Sequence, residues 1–152
     1  MEINLKEIRQ VHFMYVKQQT TLLNALRNAL GPSVAKIAAK AQTEFLQQMV
    51  MQKANDRSME GLIQLLWEPL RSQRYEFTIH RSDKGVQIIC TACPLAALYQ
   101  AAGGADWGYH LYCAADEAIV RKFNPDMGFL RTKTIMEGHE CCDHFYYMKD
   151  GV

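Results

Sequence analysis

Tyr75-Glu76-Phe77-Thr78-Ile79-His80-Arg81, the turn Ser82-Asp83-Lys84-Gly85, and Val86-Gln87-Ile88-Ile89-Cys90-Thr91 mark where the pattern of the chain changes. Tyr75, Phe77 and Ile79 alternate with polar residues, the period of two that makes a half-buried strand. Ser-Asp-Lys-Gly is turn chemistry. The run that follows is largely apolar and β-branched, so the stretch reads as a β-hairpin.

Upstream of it the period is helical. Leu5, Ile8, Val11 and Tyr15 recur at helical spacing, and Leu22, Leu23, Leu26 and Leu30 continue the stripe. Gly31-Pro32-Ser33 is expected to stop this helix and cap the next. Val34, Ile37, Ala41, Phe45 and Met49 form the second stripe. Ser58 is expected to cap a third helix carrying Leu62, Leu65 and Leu66, which Pro69 ends or bends.

Downstream, Pro94 suits a first helical turn, which places Cys93 at the N-cap. That helix should stop at Gly103-Gly104. Asp106 is expected to cap a helix over about 107–122, closed by Asn124-Pro125. Phe129 to Met136 and Cys141 to Met148 read as a second hairpin with Gly138 in its turn. The order ααα-ββ-αα-ββ predicts an α+β fold, N-terminal helices on an antiparallel sheet of about four strands. We expect one domain over 1–152, with a helical half to about 72 and a sheet-containing half over about 73–150.

Composition narrows the function. Seventeen basic side chains face sixteen acidic ones, so no net field argues for nucleic acid. No apolar run approaches a membrane span, and the N-terminal stretch lacks the apolar core of a signal peptide. Five cysteines, an odd number, then point to reduced thiols and a cytoplasmic location. The expected partner is a small molecule; self-association into a homo-oligomer is compatible with the composition.

Three groups could carry chemistry. A thiol at Cys93 would face the unsatisfied N–H groups of a helix start, which favours thiolate. Against this, Cys90 and Cys93 can equally be core filler. His110, Cys113 and Asp116, spaced i, i+3, i+6, would share roughly one face of a continuous helix, a set suited to nucleophile activation. The third group is Arg131-Thr132-Lys133-Thr134 with Cys141-Cys142-Asp143-His144. Strand alternation turns Cys142 and His144 to one face and Cys141 and Asp143 to the other. A buried Arg131 needs an anion: Asp143, another carboxylate or a substrate carboxylate. Trp67 and Trp107 either line a pocket or pack the core. Cys93, Cys113, Cys142 and His144 are ligand types that would suit zinc, although their spacing follows no familiar zinc motif.

Phe123-Asn124-Pro125, Phe129, Arg131-Thr132-Lys133-Thr134, Glu137-Gly138 and Cys142-Asp143 together resemble the C-terminal signature of the L-2-amino-thiazoline-4-carboxylic acid hydrolase family. Cys93-Pro94 and Cys113-x-x-Asp116 resemble its midsection, so the likeness covers about 90–148. His144 stands where an aromatic is frequent, and Cys141 adds a neighbouring thiol. The resemblance implies hydrolytic opening of a 2-aminothiazoline carboxylate to N-carbamoyl-cysteine. It implies that Cys113 attacks the ring carbon or helps a metal activate water, that Asp116 or His110 moves the proton, and that Arg131 holds the substrate carboxylate. Trp107, Thr132 and Asp143 would complete the substrate site. The element order also resembles ligand-binding domains of the 4-vinyl-reductase type, which implies the alternative of a non-catalytic binding or sensor module.

Overall fold

The computed structural model describes residues 5–149. Two long helices, α1 (Leu5–Leu30) and α2 (Ser33–Lys53), are followed by the short α3 (Met59–Leu66). Gly31 closes α1 in the left-handed region (φ +89°), its N–H on the Arg27 carbonyl. Ser33 makes no side-chain cap for α2; Pro32 stands at that position. Ser58 does cap α3, accepting from the Gly61 N–H. Pro69 lies at the start of a 3-10 segment, Glu68–Gln73, beyond the end of α3.

The hairpin forms as β1 (Glu76–Ser82) and β2 (Gly85–Ala92). Helices α4 (Pro94–Ala101), α5 (Ala105–Leu111) and α6 (Asp116–Phe123) lead to β3 (Met127–Leu130) and β4 (Cys142–Met148). The sheet order is β1-β2-β4-β3, antiparallel throughout. The chain is thus α+β with a four-stranded antiparallel sheet.

Three further expected details are corrected. The single helix over about 107–122 is two helices, broken at Tyr112 (φ −125°, ψ −61°) with a 3-10 turn at Cys113–Ala115. Arg131 donates to the Cys113 carbonyl at the break, supplying a partner from outside the helix. Asp106 does not cap α5; Gly104 occupies the cap, and Asp106 pairs with Arg27 at 2.7 Å. The second hairpin has no tight turn. β3 ends at Leu130, because Asp143 takes the Thr132 and Lys133 N–H groups. Residues Ile135–Glu137 then form a 3-10 turn capped by Thr134 and closed by Gly138 (φ +92°).

Two cores result. Phe77, Val86, Ile88, Cys90, Cys142 and Tyr146 line the inner sheet face against Leu62, Ile63 and Trp67 of the α3 region and Val120 and Phe123 of α6. A second core joins Val16 and Val34 of the long helices to Tyr99, Trp107, Leu111 and Met136. Cys93 and Ile135 pack against both cores and mark the seam between them.

Candidate active site at the seam

β3 gives out at Leu130, and the next side chain, Arg131, turns inward until it is only 9% exposed. A buried guanidinium requires an anion, and the anion is Asp116. Its carboxylate accepts from Arg131 Nη1, which also donates to the Cys113 carbonyl at 3.1 Å. Asp116 is the first residue of α6, where the helix dipole favours a carboxylate. The break at Tyr112 permits this geometry.

His144 reaches the same carboxylate from β4, with Nε2 3.4 Å from Asp116 Oδ2. Trp67 packs edge-on at 4.8 Å, and Phe129 and Tyr146 flank the imidazole. The Trp67 indole N–H in turn donates to the Tyr146 hydroxyl (3.0 Å). His144 Nδ1 is buried with no protein hydrogen-bond partner. Asp116 therefore serves two cationic or potentially cationic side chains, one just past the end of β3 and one on β4.

Four thiols surround this group. Cys90 and Cys142 are paired in the β2–β4 register, so their thiols interact. The neighbouring Cys90 thiol, the Ile135 N–H at 3.2 Å, and the charges of His144 and Arg131 lower the pKa of Cys142, while Cys90 is pushed up in return. Cys93 accepts from the Ala96 N–H as the N-cap of α4 and contacts the Tyr75 hydroxyl, yet burial still raises its pKa. Burial, then the Asp116 charge, pushes Cys113 up to about 12 despite Arg131. Cys113 also feels Cys142 and Cys93, so the thiols of distant segments are gathered together.

Other expected site residues stand elsewhere. His110 is separated from Cys113 and Asp116 by the helix break; it lines a surface groove of about 520 Å³ with Gln100, Tyr109, Met136 and Glu137. Trp107 is fully buried in the helical core, its indole N–H on Asn24 (2.8 Å). Asp143 does not pair with Arg131. It faces away from the inner sheet and binds Thr132 through both the N–H and the hydroxyl. Among the described residues no three of His, Cys, Asp and Glu are arranged to hold a metal. Cys93 caps α4, Cys142 receives the Ile135 N–H, and His144 faces Asp116.

Tyr109 is a residue that sequence reasoning missed. Its ring lies 5.9 Å from the Arg131 guanidinium, and it also lines the groove. It is the link between the buried cluster and the surface. No local pattern marks it, because the contact joins α5 to the segment after β3.

The family model for L-2-amino-thiazoline-4-carboxylic acid hydrolase matches residues 7–146, nearly the whole chain. No curated protein matches it. Among the described residues no helix is long and apolar enough to cross a membrane.

Proposed function

The chain belongs to the L-2-amino-thiazoline-4-carboxylic acid hydrolase family, and we propose that it is a small-molecule hydrolase that opens a 2-aminothiazoline-4-carboxylate ring or a related amidine-like C–N or C–S bond. The observation that carries this reading is the Asp116 carboxylate shared by Arg131 and His144 beside the Cys142 and Cys113 thiols.

The chemistry needs a nucleophile at the ring carbon between nitrogen and sulfur, a proton for the leaving group, and a cation for the substrate carboxylate. Cys142, whose sulfur accepts the Ile135 N–H at 3.2 Å and feels the charges of His144 and Arg131, is the nucleophile. Its sulfur adds to the ring carbon, the ring C–S bond breaks, and the departing sulfur takes a proton. Water then adds to the same carbon and expels Cys142, giving N-carbamoyl-cysteine with one water consumed and no net oxidation. Cys113 stays protonated and lines the site rather than attacking, and the departing sulfur takes its proton from water. Asp116 orients His144, which takes the proton of the incoming water. The N–H groups of Arg131 not engaged by Asp116 clamp the substrate carboxylate. Substrate enters from the groove past Tyr109.

Five free thiols suit a reducing, cytoplasmic setting. The test is incubation of purified protein with the thiazoline acid, following one new thiol and a mass gain of one water per substrate. Cys142→Ser should abolish turnover, whereas Cys113→Ser should only slow it. Calorimetric binding of the acid without any thiol release would overturn the hydrolase in favour of a binding module.

A further inference from the structure

The outward faces of α1 and α2 are apolar where a monomer would be polar. All the exposed large hydrophobics among the described residues lie on these two helices, except Leu130 and Met148. On α1, Ile8, Val11, Tyr15, Leu22 and Leu26 follow helical spacing on one side, while Val16 and Leu23 fill the core on the other. Val11 is 66% exposed and Leu30 68%. On α2, Ile37, Ala41, Phe45 and Met49 recur every four residues, with Ile37 67% exposed. A helix apolar on both faces is ordinarily buried on both.

The two stripes form one surface, because Tyr15 and Leu22 of α1 line the same groove as Ala38 and Ala41 of α2. Ten large apolar side chains on these two helices are exposed, from 37% to 68%, together on the order of 1,000 Å² of surface at roughly 100 Å² each. Monomers rarely show a patch beyond about 600 Å², whereas a stable interface needs about 800 Å² from each partner.

Its chemistry suits a second copy of this chain. On α1 from Val11 to Ala25 the only formal charge is Lys17, whose ammonium donates to the Ala102 carbonyl (3.1 Å), and on α2 the charges beside the stripe, Lys40 and Glu44, pair with each other (3.9 Å). Two such faces therefore meet with little like-charge repulsion. The polar residues within the α1 stripe are Gln10, Gln18 and Thr21, uncharged groups that can hydrogen-bond across an interface.

We propose that the α1–α2 face is a homodimer interface, in which two helical hairpins pack about a two-fold axis as a four-helix bundle. The axis crosses α1 near Gln18, midway along the stripe. Sedimentation velocity of the full chain at micromolar concentration should give twice the 17.4 kDa of one chain. Leu22→Glu with Ile37→Glu should weaken association at least about tenfold with helical circular dichroism retained; Met148→Glu, outside the face, should not. Should the double variant fail to fold, Gln18→Cys supplies the second readout, an interchain cross-link at residue 18 under mild oxidation. A wild-type monomer, a dimer indifferent to the charged pair, or a monomer that co-sediments with anionic phosphatidylserine vesicles overturns the proposal.

Discussion

Cys90 on β2 and Cys142 on β4 stand directly opposite one another in the antiparallel ladder. The Cys90 thiol donates to the Ala92 carbonyl at 3.3 Å, and the Cys142 sulfur accepts the Ile135 N–H at 3.2 Å. Opposed residues of antiparallel strands have Cα atoms about 4.5–5.5 Å apart, inside the range a disulfide spans. Treatment with diamide should therefore join these two sulfurs, each thiol giving up one hydrogen to the reagent. Peptide mapping should find the 90–142 link, and turnover should fall with it. Alkylation of both residues after treatment would exclude the link.

Asp116 is the anion on which the buried Arg131 depends. Asp116→Asn removes the charge and keeps the shape, leaving a guanidinium 9% exposed and unpaired. The expected loss is about 3–5 kcal/mol of stability, read as a lower urea midpoint, together with loss of activity. Adding Arg131→Met should restore much of the stability and none of the activity. A double variant no more stable than Asp116→Asn would contradict the pairing.

Alkaline pH should destabilise the fold. The Cys113 thiol ionises near 9 when unfolded and near 12 when folded. Between those values the native state holds more protons, so its contribution, whole below pH 9, is lost as pH rises toward 12. Buried Tyr75 and Tyr146, also raised, act in the same direction. Cys113→Ala should flatten the fall in stability by roughly 1.4 kcal/mol per pH unit. Urea titrations at neutral and alkaline pH measure it, and parallel curves for the two proteins would count against the assignment.

Asp143 fastens the segment after β3 by accepting from Thr132 and Lys133. Burial opposes its ionisation, but these hydrogen bonds prevail and hold its carboxyl below the usual range. Its contribution is therefore present above the unfolded pKa and lost as pH falls through the lower folded one. Asp143→Ala should cost about 1.5–3 kcal/mol at neutral pH and reduce the acid sensitivity of unfolding. It should also impair substrate binding, because Arg131 leads directly into the released segment. Wild-type stability and KM would show the clamp to be dispensable.

Much of the fold was legible because its signals are local. Helical spacing over Leu5–Leu30, alternation around Phe77, and the caps at Ser58 and Cys93 depend on near neighbours. Alternation also placed Cys142 and His144 together on the inner face of β4. The break at Tyr112 was not legible, because the apolar spacing continues through it and the compensating donor, Arg131, lies far along the chain. The early end of β3 was hidden likewise, since its cause is a carboxylate on another strand.

By itself, the sequence determined the element types, the α+β class and the family signature. It also supplied the thiols, carboxylates and arginine from which a site could be drawn. Tertiary structure alone decided which of them meet: Asp116 with Arg131 and His144, Cys90 with Cys142, and His110 outside the cluster. Periodicity reports which way a side chain faces within its own element. Partners from separate elements are chosen by how those elements pack and by the need of each buried charge for a counter-charge, and neither is written in the spacing of neighbouring residues.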